Sequence, residues 1–119
     1  MAQRILVVED ELDMLEFLTR FLSRKGYQVD SAPSGEEAWK AIGETVYDLI
    51  ISDLALQDIS GIELLERVRT TDAFLPFIIM TGVGTIESAV EAIKRGAFHY
   101  LTKPFKVQDM ELLARRAME

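Results

Sequence analysis

The sequence contains no cysteine, which excludes disulfide bonds, thiolate metal sites and a cysteine nucleophile. It is also short of positive charge, because 13 Lys and Arg residues stand against 20 Asp and Glu residues and leave a net charge of −7. A surface that binds a nucleic-acid backbone carries the opposite sign of charge. We therefore expect no direct nucleic-acid binding by this domain.

Long apolar runs are missing as well. The longest span about four residues, whereas a membrane-spanning helix needs about 20, and the N-terminus has no signal-peptide pattern. We expect no membrane segment and a cytoplasmic location. At 119 residues, 49% of them hydrophobic, the chain has the size and composition of a globular domain. We expect residues 1–119 to form one domain.

Apolar runs alternate with helical patterns along the whole chain, which is typical of a parallel sheet with crossover helices. The predicted strands are residues 5–8, 27–32, 47–52, 77–81 and 98–102. The apolar spacing predicts helices that begin near residues 12, 34, 60, 85 and 107, and the capping-box patterns "SGEE" (34–37) and "SGIE" (60–63) support the second and third of these starts. This pattern favours a flavodoxin-like, doubly wound α/β fold with strand order 2-1-3-4-5 and helices on both faces.

The fourth predicted helix, over residues 85–95, has an apolar stripe. Ile86, Ala89, Val90 and Ile93 recur at helical spacing. We expect these side chains to point inward, toward the sheet.

The residues that follow the predicted strands lie at the carboxyl ends of those strands, where ligands bind in open α/β sheets. They are Glu9 and Asp10, Asp53, Thr81 and Gly82, and Lys103 and Pro104. Carboxylates that converge without a cation raise one another's pKa, so the set favours a hard divalent ion. Oxygen donors without His or Cys favour Mg²⁺ or Mn²⁺, and Mg²⁺ sites are commonly completed by a phosphate. The strand ends predict Mg²⁺-dependent phosphoryl transfer.

The segments "VVEDE", "IISDLALQDISGIELL", "IIMTGVG" and "YLTKPF" together resemble the receiver domain of two-component response regulators, over essentially the whole chain. The resemblance implies that Asp53 accepts a phosphoryl group from a sensor histidine kinase. It also implies that Asp10, Glu9, Asp53 and the backbone carbonyl of Ala55 ligate Mg²⁺. The backbone of Ala55 and Gly82 would contact the phosphoryl group.

The same resemblance implies a switch. Lys103 would pair with the phosphoryl group, and Thr81 would move to hydrogen-bond it. Tyr100 would then swing inward, and the bond between Lys103 and Pro104 is expected to be a cis peptide. Because Thr81 and Lys103 follow the fourth and fifth strands, their response to the phosphoryl charge would couple the site to those two strands.

The expected working surface comprises the fourth helix, fifth strand and fifth helix, which could meet a partner or form a homodimer. The segment "TGVGTIESAVEAIKRGAFHYLTKPF" is most similar to receivers of nitrogen-regulation-type transcription activators. We therefore expect a receiver taken from a longer regulator, one that controls transcription through an attached or separate output.

Two other functions are weighed against this one. A Mg²⁺-dependent phosphatase similar to the haloacid dehalogenase-like enzymes would carry a second Asp as general acid and base two residues after the nucleophile, where this chain has Ala55. A flavodoxin-like cofactor binder would need a loop rich in Ser, Thr or Gly after the first strand. The acidic "EDE" there repels a phosphate unless a metal intervenes.

Several residues near the site receive more modest interpretations. Ala55 and Val83 cannot orient an attacking water, so we hypothesise a comparatively long-lived phosphorylated form. Gln57 stands where a proline is frequent in the receiver domains that this chain resembles. It leaves the loop after Asp53 without the φ restraint that a proline would impose. Asp58 is interpreted as an ordinary loop acid, and Glu11 as a residue at the start of a helix.

Overall fold

The computed structural model describes residues 2–82 and 86–119. Within these ranges, strands and helices alternate from the first element to the last. The strands are β1 (Arg4–Val8), β2 (Gln28–Ala32), β3 (Leu49–Asp53), β4 (Phe77–Thr81) and β5 (His99–Thr102). The helices are α1 (Leu12–Arg24), α2 (Gly35–Glu44), α3 (Gly61–Thr71), α4 (Ile86–Lys94) and α5 (Val107–Ala117).

The strands form one parallel sheet in the order β2-β1-β3-β4-β5, which confirms the predicted fold class. Helices α1 and α5 cover one face of the sheet, and α2, α3 and α4 cover the other. A chain with right-handed crossovers reaches this arrangement because the strand order reverses at β1. The carboxyl ends of β1 and β3 therefore lie side by side.

The central strands are buried on both faces. In β1, Ile5 and Val7 pack under α1 and α5, whereas Leu6 and Val8 pack under α2 and α3. Successive side chains of a strand point to opposite faces, so a continuous apolar run fits a strand covered on both sides. This burial holds the residues that follow β1 in a fixed position.

Side-chain caps begin α2 and α3 where the sequence predicted them. The Ser34 hydroxyl accepts a hydrogen bond from the Glu37 amide, and the Ser60 hydroxyl accepts one from the Glu63 amide. Such caps satisfy first-turn amides that have no partner within the helix. They fix where the chain turns from each preceding loop into its helix.

The prediction for the apolar stripe of the fourth helix was wrong. Ile86 is 82% exposed, and Val90 and Ile93 are each nearly half exposed. Among the described residues of α4 only Ala92 is fully buried, and the helix packs beside β5, one of the two edge strands of the sheet. The predicted start of this helix at Thr85 lies outside the described residues.

In the described ranges, no helix has both the length and the apolar character needed to cross a membrane.

Candidate functional site

Carboxylates from β1 and β3 converge at the carboxyl edge of the sheet. Glu9, Asp10 and Asp53 each offer an oxygen, and these oxygens lie within 4.8 Å of one another. Glu9 and Asp53 are buried, at 1% and 6% exposure, whereas Asp10 is partly open to solvent. Asp53 is the last residue of β3 rather than the first residue beyond it. The sheet therefore holds its backbone directly.

The three adjacent acids of "EDE" have different surroundings. Glu11 is the N-cap of α1, and its carboxylate accepts hydrogen bonds from the amides of Asp13 and Met14. The Glu11 amide in turn donates to the Glu9 carboxylate at 3.2 Å. Glu11 is thus committed to the helix start, as the sequence indicated, and the cluster keeps Glu9 and Asp10.

Lys103 joins the carboxylates from the end of β5. Its ammonium group donates to Glu9 in a short ion pair and lies 3.3 Å from Oδ1 of Asp53. Its backbone amide donates to the Thr81 carbonyl at 2.7 Å, and its peptide bond to Pro104 is cis. Burial lowers the pKa of Lys103, but the two carboxylates outweigh this effect and hold it above its usual value.

The pairing of Lys103 with Glu9 is a contact that the sequence did not predict. The sequence assigned this ammonium group to a phosphoryl partner and left the carboxylates with a metal ion. In the structure Lys103 relieves part of their repulsion. No sequence pattern links these two residues, which lie 94 positions apart.

Asp53 has a strongly shifted acidity. Burial raises its pKa most, and repulsion from Glu9 raises it further, so that it reaches about 6 despite the opposing attraction of Lys103. Asp10 adds a smaller upward contribution. At neutral pH Asp53 is mainly ionised, but its charge is poorly stabilised. A cation beside it would be favoured.

Thr81, Gly82 and Ala55 border the same edge. Thr81 ends β4 and is 2% exposed, whereas Gly82 and Ala55 are exposed in the loops that follow β4 and β3. The fold thus brings these predicted residues to the edge that carries Asp53. Val83 lies outside the described residues.

Tyr100 lies partly buried against the core on the α4 side of the sheet. A hydrogen bond of 2.8 Å joins its hydroxyl to that of Ser88 on α4. The aromatic ring of β5 is therefore linked directly to α4, which the sequence did not predict.

Two residues that follow Asp53, Asp58 in the loop and Gly61 at the start of α3, have contacts that the sequence did not reveal. A side chain at Gly61 would meet the Asp53 carbonyl oxygen, since an added Cβ would lie 2.4 Å from it. The interpretation of Asp58 as an ordinary loop acid was wrong. Its carboxylate accepts hydrogen bonds from the amides of Gly35 and Glu36, at the start of α2.

The fold and the edge residues define a doubly wound α/β protein with an acidic, lysine-containing site at the carboxyl edge of its sheet. The model of the family described as "Response regulator receiver domain" matches residues 5–115, and the chain belongs to that family. The resemblance to receiver domains that the sequence indicated is confirmed.

Similar proteins agree with this assignment. The chain is 38% identical to the transcriptional regulatory protein CusR of Escherichia coli K12, covering 94% of this chain and 48% of CusR. It is 33% identical to the transcriptional regulator NtrC of Azospirillum brasilense, covering 98% of this chain and 24% of NtrC. A solution structure of the beryllofluoride-activated NtrC4 receiver domain dimer matches with a TM-score of 0.92 and 34% identity, covering 97% of this chain and 95% of that one. The chain thus spans a quarter to a half of the length of these curated relatives.

Proposed function

We propose that this domain is a phosphorylation-activated switch that accepts a phosphoryl group on Asp53 from a sensor histidine kinase, with Mg²⁺ bound beside it. The observation that carries the proposal is the buried Asp53 carboxylate, which lies among Glu9, Asp10 and Lys103 at the end of a central strand. A buried carboxylate with a raised pKa and a specific cationic partner is characteristic of functional sites.

The donor set suits Mg²⁺. The oxygens of Glu9, Asp10 and Asp53 lie within 4.8 Å of one another, so these carboxylates could converge on one ion. The proposed ligands are these three carboxylates and the Ala55 carbonyl, with Mn²⁺ as an alternative ion. When bound, the ion would offset the negative charge of the phosphoryl oxygens.

Asp53 would act as the nucleophile. One of its carboxylate oxygens bonds to phosphorus while the bond from phosphorus to the leaving imidazole nitrogen breaks, and the leaving group keeps that electron pair. Lys103 would leave Glu9 to pair with the phosphoryl oxygens, which the Thr81 hydroxyl and the backbone of Ala55 and Gly82 would also contact. Catalysis by these groups is positioning and charge stabilisation.

The experiment that tests the proposal is phosphorylation of the purified chain by acetyl phosphate with MgCl₂. We expect the intact mass to increase by one phosphoryl group, which peptide mapping after borohydride reduction locates on Asp53. Omission of the divalent ion should abolish the increase. A chain that remains unmodified, or one modified at another carboxylate, would contradict the proposal.

The alternative of a Mg²⁺-dependent phosphatase is less favoured. Ala55 offers no group that could transfer a proton, two residues after the nucleophile. We therefore propose that the domain serves as a phosphoacceptor and promotes only its own phosphorylation and dephosphorylation.

The same residue predicts the lifetime of the phosphorylated form. Ala55→Asn should accelerate dephosphorylation several-fold, since the amide could orient an attacking water toward phosphorus. Ala55→Val is the matched control, because it adds bulk without a hydrogen-bonding group and should leave the rate near that of the wild type. Loss of phosphoryl label with time measures both rates, and an unchanged rate in Ala55→Asn would contradict the hypothesis. Val83→Glu is the corresponding test at the second position.

We propose that the switch changes the surface formed by α4, β5 and α5 through Thr81 and Tyr100. Tyr100 contacts α4 through Ser88, so a shift of its ring would be transmitted to that helix. The exposed Ile86, Val90 and Ile93 give α4 an apolar face that suits a partner protein. The partner we propose is a second receiver, since the NtrC4 receiver resembles this chain and is described as a dimer.

The remaining proposals rest on the family. Residues 1–119 would form one receiver domain of a longer transcription regulator, act in the cytoplasm and leave any contact with nucleic acid to an output domain. The relatives named as transcriptional regulators support this assignment.

A further inference from the structure

The loop over residues 54–60 connects Asp53 to α3 and carries the Ala55 carbonyl. Its base is closed by hydrogen bonds, because the Gly61 amide donates to the Leu54 carbonyl and the Leu54 amide donates to the Met80 carbonyl, each at 2.8 Å. One end of the loop is thus fixed to the sheet.

The far part of the loop is fixed to a different element. Oδ1 of Asp58 accepts from the Gly35 amide at 3.0 Å, and Oδ2 accepts from the Glu36 amide at 2.8 Å. Oδ1 also accepts from the Ile59 amide within the loop at 2.8 Å. The loop is therefore held against the start of α2, 22 and 23 residues earlier in the chain.

Asp58 supplies hydrogen-bond acceptors for amides at the start of α2. The first amides of a helix have no intrahelical partner, and Ser34 satisfies that of Glu37 in α2. Asp58 satisfies those of Gly35 and Glu36, and its negative charge suits the positive end of the helix dipole. Desolvation raises the pKa of Asp58, but the amide hydrogen bonds outweigh it and hold the pKa below its usual value.

The packing around this contact is close. A Cβ added to Gly35 would lie 2.3 Å from Cγ1 of Ile59, so the glycine leaves the space that the Ile59 side chain occupies. Ile59 and Leu56 are themselves partly buried against the core. The packing of Ile59 and Leu56 thus fixes the position of the loop, although Gln57 gives it no φ restraint.

We propose that Asp58 is a positioning residue that docks the loop onto α2 and so fixes the Ala55 carbonyl where it completes the Mg²⁺ site. This inference rests on the proposed function and extends it to a residue that contacts neither the ion nor the phosphoryl group. Loss of a residue that holds a metal ligand in position commonly weakens metal binding by about tenfold or more.

The test compares Asp58→Ala with Ser34→Ala. Both changes remove a carboxylate or hydroxyl acceptor from first-turn amides of α2, but only Asp58→Ala releases the loop. We expect Asp58→Ala to weaken Mg²⁺ binding, measured by calorimetry, about tenfold. It should also raise the Mg²⁺ concentration needed for half-maximal phosphorylation by acetyl phosphate, with the rate largely restored at saturating Mg²⁺. Ser34→Ala should leave both quantities near their wild-type values.

Asp58→Asn keeps the shape and one acceptor oxygen, so we expect an intermediate Mg²⁺ affinity; it also serves if Asp58→Ala does not fold. Equal weakening in Ser34→Ala would reduce the role of Asp58 to helix stability and overturn the inference. Unchanged Mg²⁺ affinity in both Asp58 variants would overturn it too. A wild-type chain that neither binds Mg²⁺ nor takes up phosphoryl would instead refute the proposed function, so the two failures are distinguishable.

Discussion

An Asp53→Asn variant is expected to lose phosphoryl uptake from acetyl phosphate, by about 10³-fold or more in rate, because the amide cannot act as the nucleophile. Asp13→Asn is the matched control. Asp13 is an exposed carboxylate in the first turn of α1, and its variant should be phosphorylated at the wild-type rate. Intact-mass spectrometry over time measures both. Full labelling of Asp53→Asn would mean that another residue accepts the phosphoryl group.

The same variant should be more stable than the wild type when no metal is present. The pKa of Asp53 is about 6 in the folded chain, against a usual value of 3.8. Between these pH values the folded state binds more protons than the unfolded state, so the contribution of Asp53 to stability falls as pH rises. Above about pH 6 the loss is complete, and we expect it to reach about 1–3 kcal/mol.

Urea unfolding of both proteins without metal, from pH 4 to pH 7, measures this effect. Other carboxylates titrate in both chains, so the difference between the two free energies of unfolding isolates Asp53. That difference should grow in favour of Asp53→Asn up to about pH 6. A difference that does not change with pH would contradict the assigned acidity. Mg²⁺ should stabilise the wild type more than the variant, since it binds the ionised carboxylate.

Gly61→Ala is expected to damage both stability and phosphorylation. An added Cβ would lie 2.4 Å from the Asp53 carbonyl oxygen and 3.1 Å from Cα of Leu54, and neither backbone atom can move without moving β3 or α3. We expect the free energy of unfolding to fall by about 2–3 kcal/mol, as for other overpacked sites. Phosphorylation should slow more than tenfold, because small displacements of a reacting group are costly.

Gly43→Ala is the control for this substitution. Gly43 lies within α2, and an added Cβ there meets no atom within 4 Å. Alanine should therefore stabilise the helix by about 0.5–1 kcal/mol. Urea unfolding and the rate with acetyl phosphate measure both variants. A Gly61→Ala protein as stable and as reactive as the wild type would show that α3 can begin elsewhere.

The fold and the acidic cluster were predictable because they depend on local patterns. The apolar runs that become β1, β3 and β4 identify buried strands, and the carboxyl ends of parallel strands meet at one edge. Glu9, Asp10 and Asp53 could therefore be assigned to one site before any distance was known. The position of Glu11 at the start of a predicted helix also separated it from Glu9 and Asp10, and its carboxylate caps α1 in the structure.

The apolar stripe of α4 shows that such patterns do not predict which helix faces are buried. The spacing of Ile86, Val90 and Ile93 correctly indicates one face of a helix, but an amphipathic pattern does not reveal what covers that face. In the structure α4 lies beside β5, an edge strand, and Ala92 rather than the larger side chains is buried. Burial of a helix face depends on how much sheet lies beneath it, and this is a property of the assembled layers.

Sequence alone thus determined the order of the elements, the fold class and the set of residues at the carboxyl edge. Tertiary structure alone decided which of these residues contact one another: Lys103 pairs with Glu9 as well as Asp53, and Asp58 caps α2. The physical reason is range. Periodicity and capping are interactions between residues a few positions apart, whereas an ion pair across 94 positions depends on angstrom-scale distances that only the packed sheet and helices fix.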